Sequence, residues 1–239
     1  MFPLRDDNPT RIVPLITWTL IAVNVMVFFY QASLGPRAGE IFIYKYGTIP
    51  AVVVGTKSLP ASLSAIPPAA SIFTSMFLHG SWMHLIGNMW FLWIFGNNIE
   101  EAMGAFRFLI FYLLCGFFAS LTHILSNASS TIPSIGASGA ISGVLGAYAV
   151  IYPRARVWTL IFLFFFVRLI YLPAAIVLLY WFILQVLYSS VTGPQTSGGI
   201  AYGAHIGGFI AGVLLVGLFK KKKVRFFNPP RYRSSITWD

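Results

Sequence analysis

Long runs of apolar residues recur along this 239-residue chain, separated by shorter polar segments. A helix of roughly 18 or more apolar residues spans the roughly 30 Å hydrocarbon core of a bilayer. Because lipid offers no hydrogen-bond partners to an open backbone, such runs are typical of membrane-spanning helices. The pattern predicts six spans, at about residues 12–34, 82–99, 106–125, 136–151, 172–189 and 202–219.

Two longer segments lie between these spans. The long connection at 35–78 mixes apolar and polar residues with several prolines, so we expect it to be interfacial and partly helical. The stretch 157–170 contains Arg168, and a charge at the bilayer centre costs at least about 2.5 kcal/mol. We therefore predict an interfacial loop at 157–170, although its length also admits part of a span. The expected fold is a single all-α polytopic membrane domain of six helices, with a short basic tail at 220–239.

Composition supports the membrane assignment and explains the charge. Hydrophobic residues make up 57% of the chain and charged residues 9%, whereas a soluble domain has roughly a quarter charged residues. With six spans, thirteen of the sixteen Lys and Arg residues lie on the side of the two termini. This is the positive-inside distribution, so both termini are predicted to be cytoplasmic. The net charge of +10 then reflects topology and contact with the lipid bilayer, and no nucleic-acid partner is expected.

Other features of the sequence exclude several classes of site. The single cysteine, Cys115, excludes an intrachain disulfide, and no Cys/His spacing is typical of a metal site. Neither a metal nor a cofactor is therefore expected. The start of the sequence has neither a cleavable signal pattern nor a transit peptide. We therefore expect a multi-pass protein of a prokaryotic plasma membrane.

Strongly polar side chains inside predicted spans are functional candidates by default, and four of them stand out. His84 and Asn88 lie in the second span, Ser138 in the fourth and His205 in the sixth. These three spans all run from the outer face to the inner one, and His84, Ser138 and His205 lie near their starts. The topology therefore predicts that three helices bring polar groups to one depth near the outer face.

The chemistry of this set fits acyl transfer. A serine becomes a nucleophile when a histidine at hydrogen-bond distance accepts its proton, which is the role expected of Ser138 and His205. The serine opens a helix just after Gly136, and free backbone N–H groups at a helix start can stabilise an oxyanion. His84 and Asn88 are four residues apart, so they share a helix face and can donate to the same oxyanion. Alone, a serine or a histidine in a span is more often structural, and it is the combination that favours catalysis.

Pairs of glycines spaced four residues apart lie beside both reactive residues. Gly139 and Gly143 follow the serine, and Gly208 and Gly212 follow the histidine. Small residues at this spacing let membrane helices pack backbone to backbone. We therefore expect the fourth and sixth helices to lie close enough for a direct serine–histidine hydrogen bond.

Three sequence blocks resemble the rhomboid family of intramembrane serine proteases. They read HGSWMHLIGN at 79–88, GASG at 136–139 and AHIG at 204–207. The resemblance extends over about residues 44–212, which is most of the chain. The combination of two histidines and an asparagine ahead of these two later blocks is highly specific.

The resemblance implies a fold, a mechanism and a class of substrate. The fold would be a six-helix core with a short fourth helix below a water-accessible cavity. The mechanism would use a dyad of Ser138 and His205 without a third carboxylate, with His84, Asn88 and the serine N–H as the oxyanion hole. The substrates would be transmembrane proteins, cut in or near a membrane-spanning segment.

The chain departs from the family's pattern at two points. Ala70 and Ser71 stand where some members carry a Trp-Arg pair in the first loop. Ser142 stands where some members carry a tyrosine that stacks on the catalytic histidine. The first departure leaves the lipid contacts of the loop open, and the second leaves open which residue packs on His205.

Two other functions compete with the protease hypothesis. An inactive rhomboid-like protein that binds membrane helices would lack Ser138, His205 or both, and this chain retains both. A transporter or channel would carry polar residues along the full depth of the membrane rather than near one face. The sequence therefore favours an intramembrane serine endopeptidase.

Overall fold

The computed structural model describes residues 1–163, 166–192 and 201–229 of the chain. Its helices are α1 (Leu15–Ser33), α2 (Gly35–Tyr46), α3 (Pro50–Val53), α4 (Pro68–Thr74), α5 (Trp82–Met103), α6 (Ala105–Ser126), α7 (Ser138–Ile151), α8 (Ala174–Thr192) and α9 (Tyr202–Phe219). A 3-10 turn at Ser75–Phe77 follows α4. Each of the six predicted spans coincides with one of the longer helices, and the connection at 35–78 is partly helical.

Four helices in the described part of the chain are long and apolar enough to cross a membrane, namely α1, α6, α8 and α9. Helix α7 is apolar as well, but its 14 residues extend only about 21 Å. It is therefore shorter than the roughly 30 Å hydrocarbon core. The chain is a multi-pass helical membrane protein, as the sequence predicted.

The short helix α7 lies at the centre of the bundle. Nearly all of its residues are buried, and it packs against α5, α6 and α9. Its contact with α9 is backbone to backbone: a Cβ on Gly208 would overlap the carbonyl of Gly139, and a Cβ on Gly212 would overlap that of Gly143. Glycine at these positions lets the start of α7 and the start of α9 approach each other.

Helix α5 begins and ends at local signals in the sequence. Ser81 caps its start, since the serine Oγ accepts a hydrogen bond from the backbone N–H of His84 at 3.1 Å. Gly104 ends it with a φ of 90°, a conformation that favours glycine, and α6 begins at the next residue. These boundaries place His84 in the first turn of α5.

The buried carboxylate of Glu100, near the end of α5, holds the start of α1. Its two oxygens accept hydrogen bonds from the backbone N–H groups of Ile16 at 2.9 Å and Thr17 at 2.8 Å, and from the Thr17 hydroxyl at 2.8 Å. The first N–H groups of a helix lack intrahelical partners, and they lie at the positive end of its dipole. A single acidic side chain therefore satisfies these donors and joins two helices.

A three-stranded antiparallel sheet accompanies the helices. Its strands β1 (Phe2–Asp6), β2 (Arg156–Leu163) and β3 (Phe166–Pro173) pair in the order β1-β2-β3. The prediction of a loop at 157–170 is wrong, because residues 157–163 and 166–170 lie in the paired strands β2 and β3. The all-α description is correct for the bundle but omits this sheet.

The composition of the hairpin explains why it forms strands. The segment is rich in β-branched and aromatic residues, which favour a pleated strand. Pairing with β3 along the strand and with β1 at Val157–Leu160 satisfies most of the backbone of the central strand β2. Arg168 pairs with Ile161 in this register, and its side chain is exposed. Arg168 thus lies outside the spans, in a β-strand rather than in a loop.

Side-chain contacts attach the sheet to the bundle. Asp7 forms an ion pair with Arg156 at 2.6 Å, and the Tyr148 hydroxyl of α7 donates to Asp6 at 2.6 Å. The Trp90 indole N–H of α5 donates to the carbonyl of Pro3 at 2.8 Å. Strand β1 is thus held both to β2 and to the two helices that also carry the candidate site.

Candidate active site

The central contact of the site joins α7 to α9. Ser138 is the first residue of α7, and His205 lies in the first turn of α9. The serine Oγ and the histidine Nε2 are 2.7 Å apart, a normal hydrogen-bond distance. Ser138 is half-buried and His205 is 8% exposed. The pair therefore lies largely out of solvent but is not sealed.

The other two candidates lie on α5, beside the loop that precedes Ser138. A Cβ on Gly136 would be 2.7 Å from His84 Nε2 and 3.7 Å from Asn88 Nδ2. Gly136 itself has a φ of 124°, in the region that favours glycine. Two nitrogen atoms from one face of α5 therefore point at the backbone two residues before the serine.

The loop before α7 is held by residues of the long first connection. The Gly136 N–H donates to the carbonyl of Ser75 at 2.9 Å, and Thr48 and Ser134 exchange backbone hydrogen bonds at 3.1 and 2.7 Å. The Thr48 hydroxyl bonds to the carbonyl of Ser71 and to Ser75 Oγ, both at 2.9 Å. The first connection thus supports the site from outside the helix bundle, and Ser71 serves there as a buried acceptor.

His79 contacts Asn88, one of the two candidate oxyanion donors. Asn88 Nδ2 lies 2.9 Å from His79 Nε2, and the His79 carbonyl accepts from the Gln31 amide at 2.7 Å. Burial, with a smaller contribution from His84, lowers the pKa of the His79 imidazole to about 3. A neutral His79 accepts a hydrogen bond from Asn88 and fixes the amide, which leaves the second N–H of Asn88 for another acceptor.

Three residues that surround His205 were not singled out by sequence reasoning. Gln185 Oε1 lies 2.7 Å from His205 Nδ1. The rings of Trp181 and Tyr202 lie 5.8 and 6.4 Å from the imidazole, between ring centroids. Gln185 is a strongly polar side chain near the outer end of the fifth predicted span, so the rule that singled out the other four polar residues would also have found it.

Ser142 does not take the place of a stacking aromatic residue. Its hydroxyl donates to the carbonyl of Ser138, one turn earlier in α7, at 2.6 Å. The aromatic contacts to His205 come instead from Trp181 of α8 and Tyr202 of α9. In the described part of the chain no group of three or more His, Cys, Asp or Glu side chains is placed to hold a metal ion.

Fold and site together define a multi-pass helical membrane protein with a hydrogen-bonded serine–histidine pair at the start of its short central helix. A sequence profile described as the Rhomboid domain matches residues 69–222. The match covers more than half of the chain and includes all of the site residues described above except Gln31 and Thr48. The chain belongs to the rhomboid family.

Individual relatives agree with this assignment. The chain is 28% identical to "Rhomboid protein 1, mitochondrial" of Saccharomyces cerevisiae over 228 residues, 93% of this chain and 58% of that protein. It is 30% identical to "Rhomboid-like protein 11, chloroplastic" of Arabidopsis thaliana over 158 residues, 62% of this chain and 51% of that protein. It is 33% identical to "Rhomboid protease GluP" of Bacillus subtilis over 134 residues, 56% of this chain and 24% of that protein.

These relatives can be compared with this chain in length and in the membrane that their names indicate. The chain spans between about a quarter and three fifths of the length of the three relatives. Two of them are named mitochondrial or chloroplastic, and the third is bacterial. The expectation of a prokaryotic plasma membrane is therefore not supported by the relatives, whereas a multi-pass membrane protein is.

Proposed function

We propose that this protein is an intramembrane serine endopeptidase in which Ser138 is the nucleophile and His205 the general base. The observation that carries the proposal is the 2.7 Å contact between Ser138 Oγ and His205 Nε2. Within a membrane bundle, a buried histidine beside a half-buried serine at a helix start combines the two groups that acyl transfer requires.

The first half of the reaction forms an ester. His205 Nε2 accepts the proton of the Ser138 hydroxyl while Oγ bonds to the carbonyl carbon of the scissile peptide. The resulting tetrahedral intermediate carries a negative charge on the former carbonyl oxygen. When it collapses, the C–N bond breaks and the imidazolium gives its proton to the leaving amine.

The second half hydrolyses that ester. A water molecule gives a proton to His205 as its oxygen attacks the acyl carbon, and the proton then returns to Ser138 Oγ. The enzyme thus regains its starting state. The scissile peptide bond of the substrate has been replaced by a carboxyl group and an amine. A site that is largely buried but open at the serine fits a reaction that needs water in limited amount.

His84 and Asn88 are the proposed donors to the oxyanion. Their nitrogen atoms face Gly136, beside the N-terminus of α7, where the positive end of the helix dipole also lies. Two side-chain donors in a site that excludes most water are worth more than they would be in bulk solvent. The bond from Asn88 to His79 holds one of these donors in place.

Transmembrane proteins are the proposed substrates, cut in or near a membrane-spanning segment. Support comes from the family, one of whose matched members is named a protease, and from the position of the site within a membrane bundle. The distribution of basic residues orients the start of α7 toward the outer face. We propose that cleavage takes place near that face.

The test is labelling of the purified protein with a fluorescent fluorophosphonate, which reacts with an activated serine. The wild type is expected to be labelled, and Ser138→Ala and His205→Ala are expected to abolish labelling. Ser142→Ala, four residues further along α7, is the matched control and should be labelled like the wild type. Undiminished labelling of Ser138→Ala would contradict the assignment of the nucleophile.

Cleavage of a reporter with a single transmembrane segment completes the test. The wild type should cut it, and Ser138→Ala should not. The contrary outcome is a wild-type protein that neither reacts with the fluorophosphonate nor cuts the reporter, but that retains the reporter when the protein is immobilised on a column. Such a protein would be a helix-binding protein without protease activity.

A further inference from the structure

A third polar side chain completes a line of hydrogen bonds through His205. Gln185 lies on α8 and is 8% exposed, as is His205. Its Oε1 is 2.7 Å from His205 Nδ1, and His205 Nε2 is 2.7 Å from Ser138 Oγ. One imidazole is thus held at both nitrogen atoms, by α8 on one side and by α7 on the other.

The Gln185 amide is itself oriented by its own helix. Its Nε2 donates to the carbonyl of Trp181, one turn earlier, at 3.3 Å. That bond directs the amide oxygen, rather than the amide nitrogen, toward His205. Because a carbonyl oxygen only accepts, the hydrogen of a neutral His205 must be on Nδ1.

The position of that hydrogen decides whether the histidine can act as a base. With Nδ1 protonated, Nε2 presents a lone pair to Ser138 Oγ and can take its proton. With Nε2 protonated, the histidine would instead donate to the serine, and no proton could be removed. The Trp181 ring lies beside the imidazole, with the two ring centroids 5.8 Å apart and the ring planes 33° apart.

We propose that Gln185 is a positioning residue of this site, which holds His205 in the tautomer that a general base requires. This proposal rests on the proposed function for its catalytic meaning. It assigns to a neutral amide the orienting role that a carboxylate has in many soluble serine hydrolases. After proton transfer, the same carbonyl oxygen accepts from the imidazolium and stabilises it.

The membrane favours an amide over a carboxylate in this place. An isolated carboxylate within a span is costly, whereas an amide orients the ring without a buried charge. Among the described residues, the side chains that hydrogen-bond to the His205 imidazole are Gln185 and Ser138, and neither is an acid. Orientation of the base therefore falls to a group that carries no charge.

The first test measures the tautomer directly and does not depend on proteolysis. Protein labelled with 15N-histidine is compared with Gln185→Leu in detergent micelles by NMR, with His205→Gln used to assign the His205 signals. The wild type is expected to show a protonated Nδ1 and an unprotonated Nε2. Gln185→Leu is expected to shift His205 toward the other tautomer, and an unchanged spectrum would overturn the proposal.

The second test measures the rate of fluorophosphonate labelling in Gln185→Leu and Gln185→Glu. The leucine removes the acceptor at similar volume, and we expect the rate to fall about tenfold or more, a part of what general-base catalysis contributes. The glutamate restores an acceptor, so it should recover most of the rate. Its negative charge stabilises the imidazolium, so the acid limb of the pH–rate profile should move to higher pH.

The controls separate this proposal from the protease proposal. Ser190→Ala removes a hydroxyl from the exposed side of the same helix and should label like the wild type. Ser138-dependent labelling that is as fast in Gln185→Leu as in the wild type would refute the role of Gln185 and leave the protease in place. Equal losses in the leucine and glutamate variants would also refute it, because a purely structural role predicts that result.

Discussion

The imidazole of His84 lies directly against the backbone of Gly136, so closely that a Cβ at Gly136 would be 2.7 Å from His84 Nε2. Neither residue belongs to the serine–histidine pair. Their contact nevertheless sets the distance between the candidate oxyanion donors of α5 and the loop that leads into Ser138. The absence of a side chain at one position is therefore part of the geometry of the site.

Gly136→Ala is expected to reduce Ser138-dependent labelling by about 100-fold, comparable to the loss of one oxyanion donor. The new methyl group would displace His84, and the φ of 124° disfavours any residue with a Cβ. Labelling rates with a fluorophosphonate measure the effect. Gly87→Ala, on α5, is the control, since a Cβ there meets nothing within 4 Å. Equal labelling rates for Gly136→Ala and Gly87→Ala would show that His84 is not held by this contact.

Gly208→Ala is expected to lower the free energy of unfolding by about 1–3 kcal/mol, as overpacking in a close contact does. A Cβ at this position would overlap the carbonyl of Gly139 and push α9 away from α7. Equilibrium unfolding in mixed micelles measures the change. In Gly203→Ala, at the start of the same helix, the Cβ has open space. Its unfolding free energy should stay within about 0.5 kcal/mol of the wild type, and an equal loss in both variants would contradict the packing argument.

Glu100→Gln is expected to destabilise the bundle by about 1–3 kcal/mol, because the amide NH₂ would face N–H and O–H donors that the carboxylate accepts. The donors concerned are the N–H and hydroxyl of Thr17 and the N–H of Ile16. Thermal unfolding in detergent gives the readout. Glu40→Gln, on the exposed surface of α2, is the matched control. Equal melting temperatures for the two variants would mean that the Glu100 carboxylate does not hold α1.

The buried His79 predicts a decrease of stability in mild acid. Its pKa is lowered from 6.5 to about 3 in the folded protein, so the unfolded chain binds a proton there that the folded chain does not. Stability from this group is therefore fully present above pH 6.5 and falls as the pH decreases toward 3. Unfolding measured between about pH 7.5 and about pH 4.5 should show this slope, and His79→Gln should reduce it. Parallel pH profiles for the variant and the wild type would contradict the prediction.

The sequence alone predicted the helices of the bundle well, because each rests on a local property. An apolar run long enough to cross a bilayer is stable as an α-helix when it faces lipid. The sixth predicted span and α9 accordingly share the bounds 202–219. The sheet was missed for the complementary reason. The segment 157–170 was predicted to be a loop because Arg168 argues against a span, and the segment itself does not reveal that it pairs with β1, which is distant in sequence.

Of the candidate site, the sequence alone singled out some residues and missed others. Ser138, His205, His84 and Asn88 are polar residues at one depth, and topology alone assigns that depth. Gln185 obeys the same rule but has no partner that its own sequence neighbourhood reveals. Its contact with His205 depends on how α8 is rotated against α9, and such a rotation is set by packing between helices rather than by the pattern within one.

The pairing of β1 with β2 has a consequence for how the chain is made. Asp7 and its ion-pair partner Arg156 are 149 residues apart along the sequence, and α1, α5, α6 and α7 all lie between them. Strand β1 is synthesised before these helices, yet it has no pairing partner until they have emerged and entered the membrane. Closure of this loop is a non-local event of the kind that slows folding. A segment made at the very start is therefore fixed only after the helices between β1 and β2 have been made, and those helices enter the membrane while β1 is still unpaired.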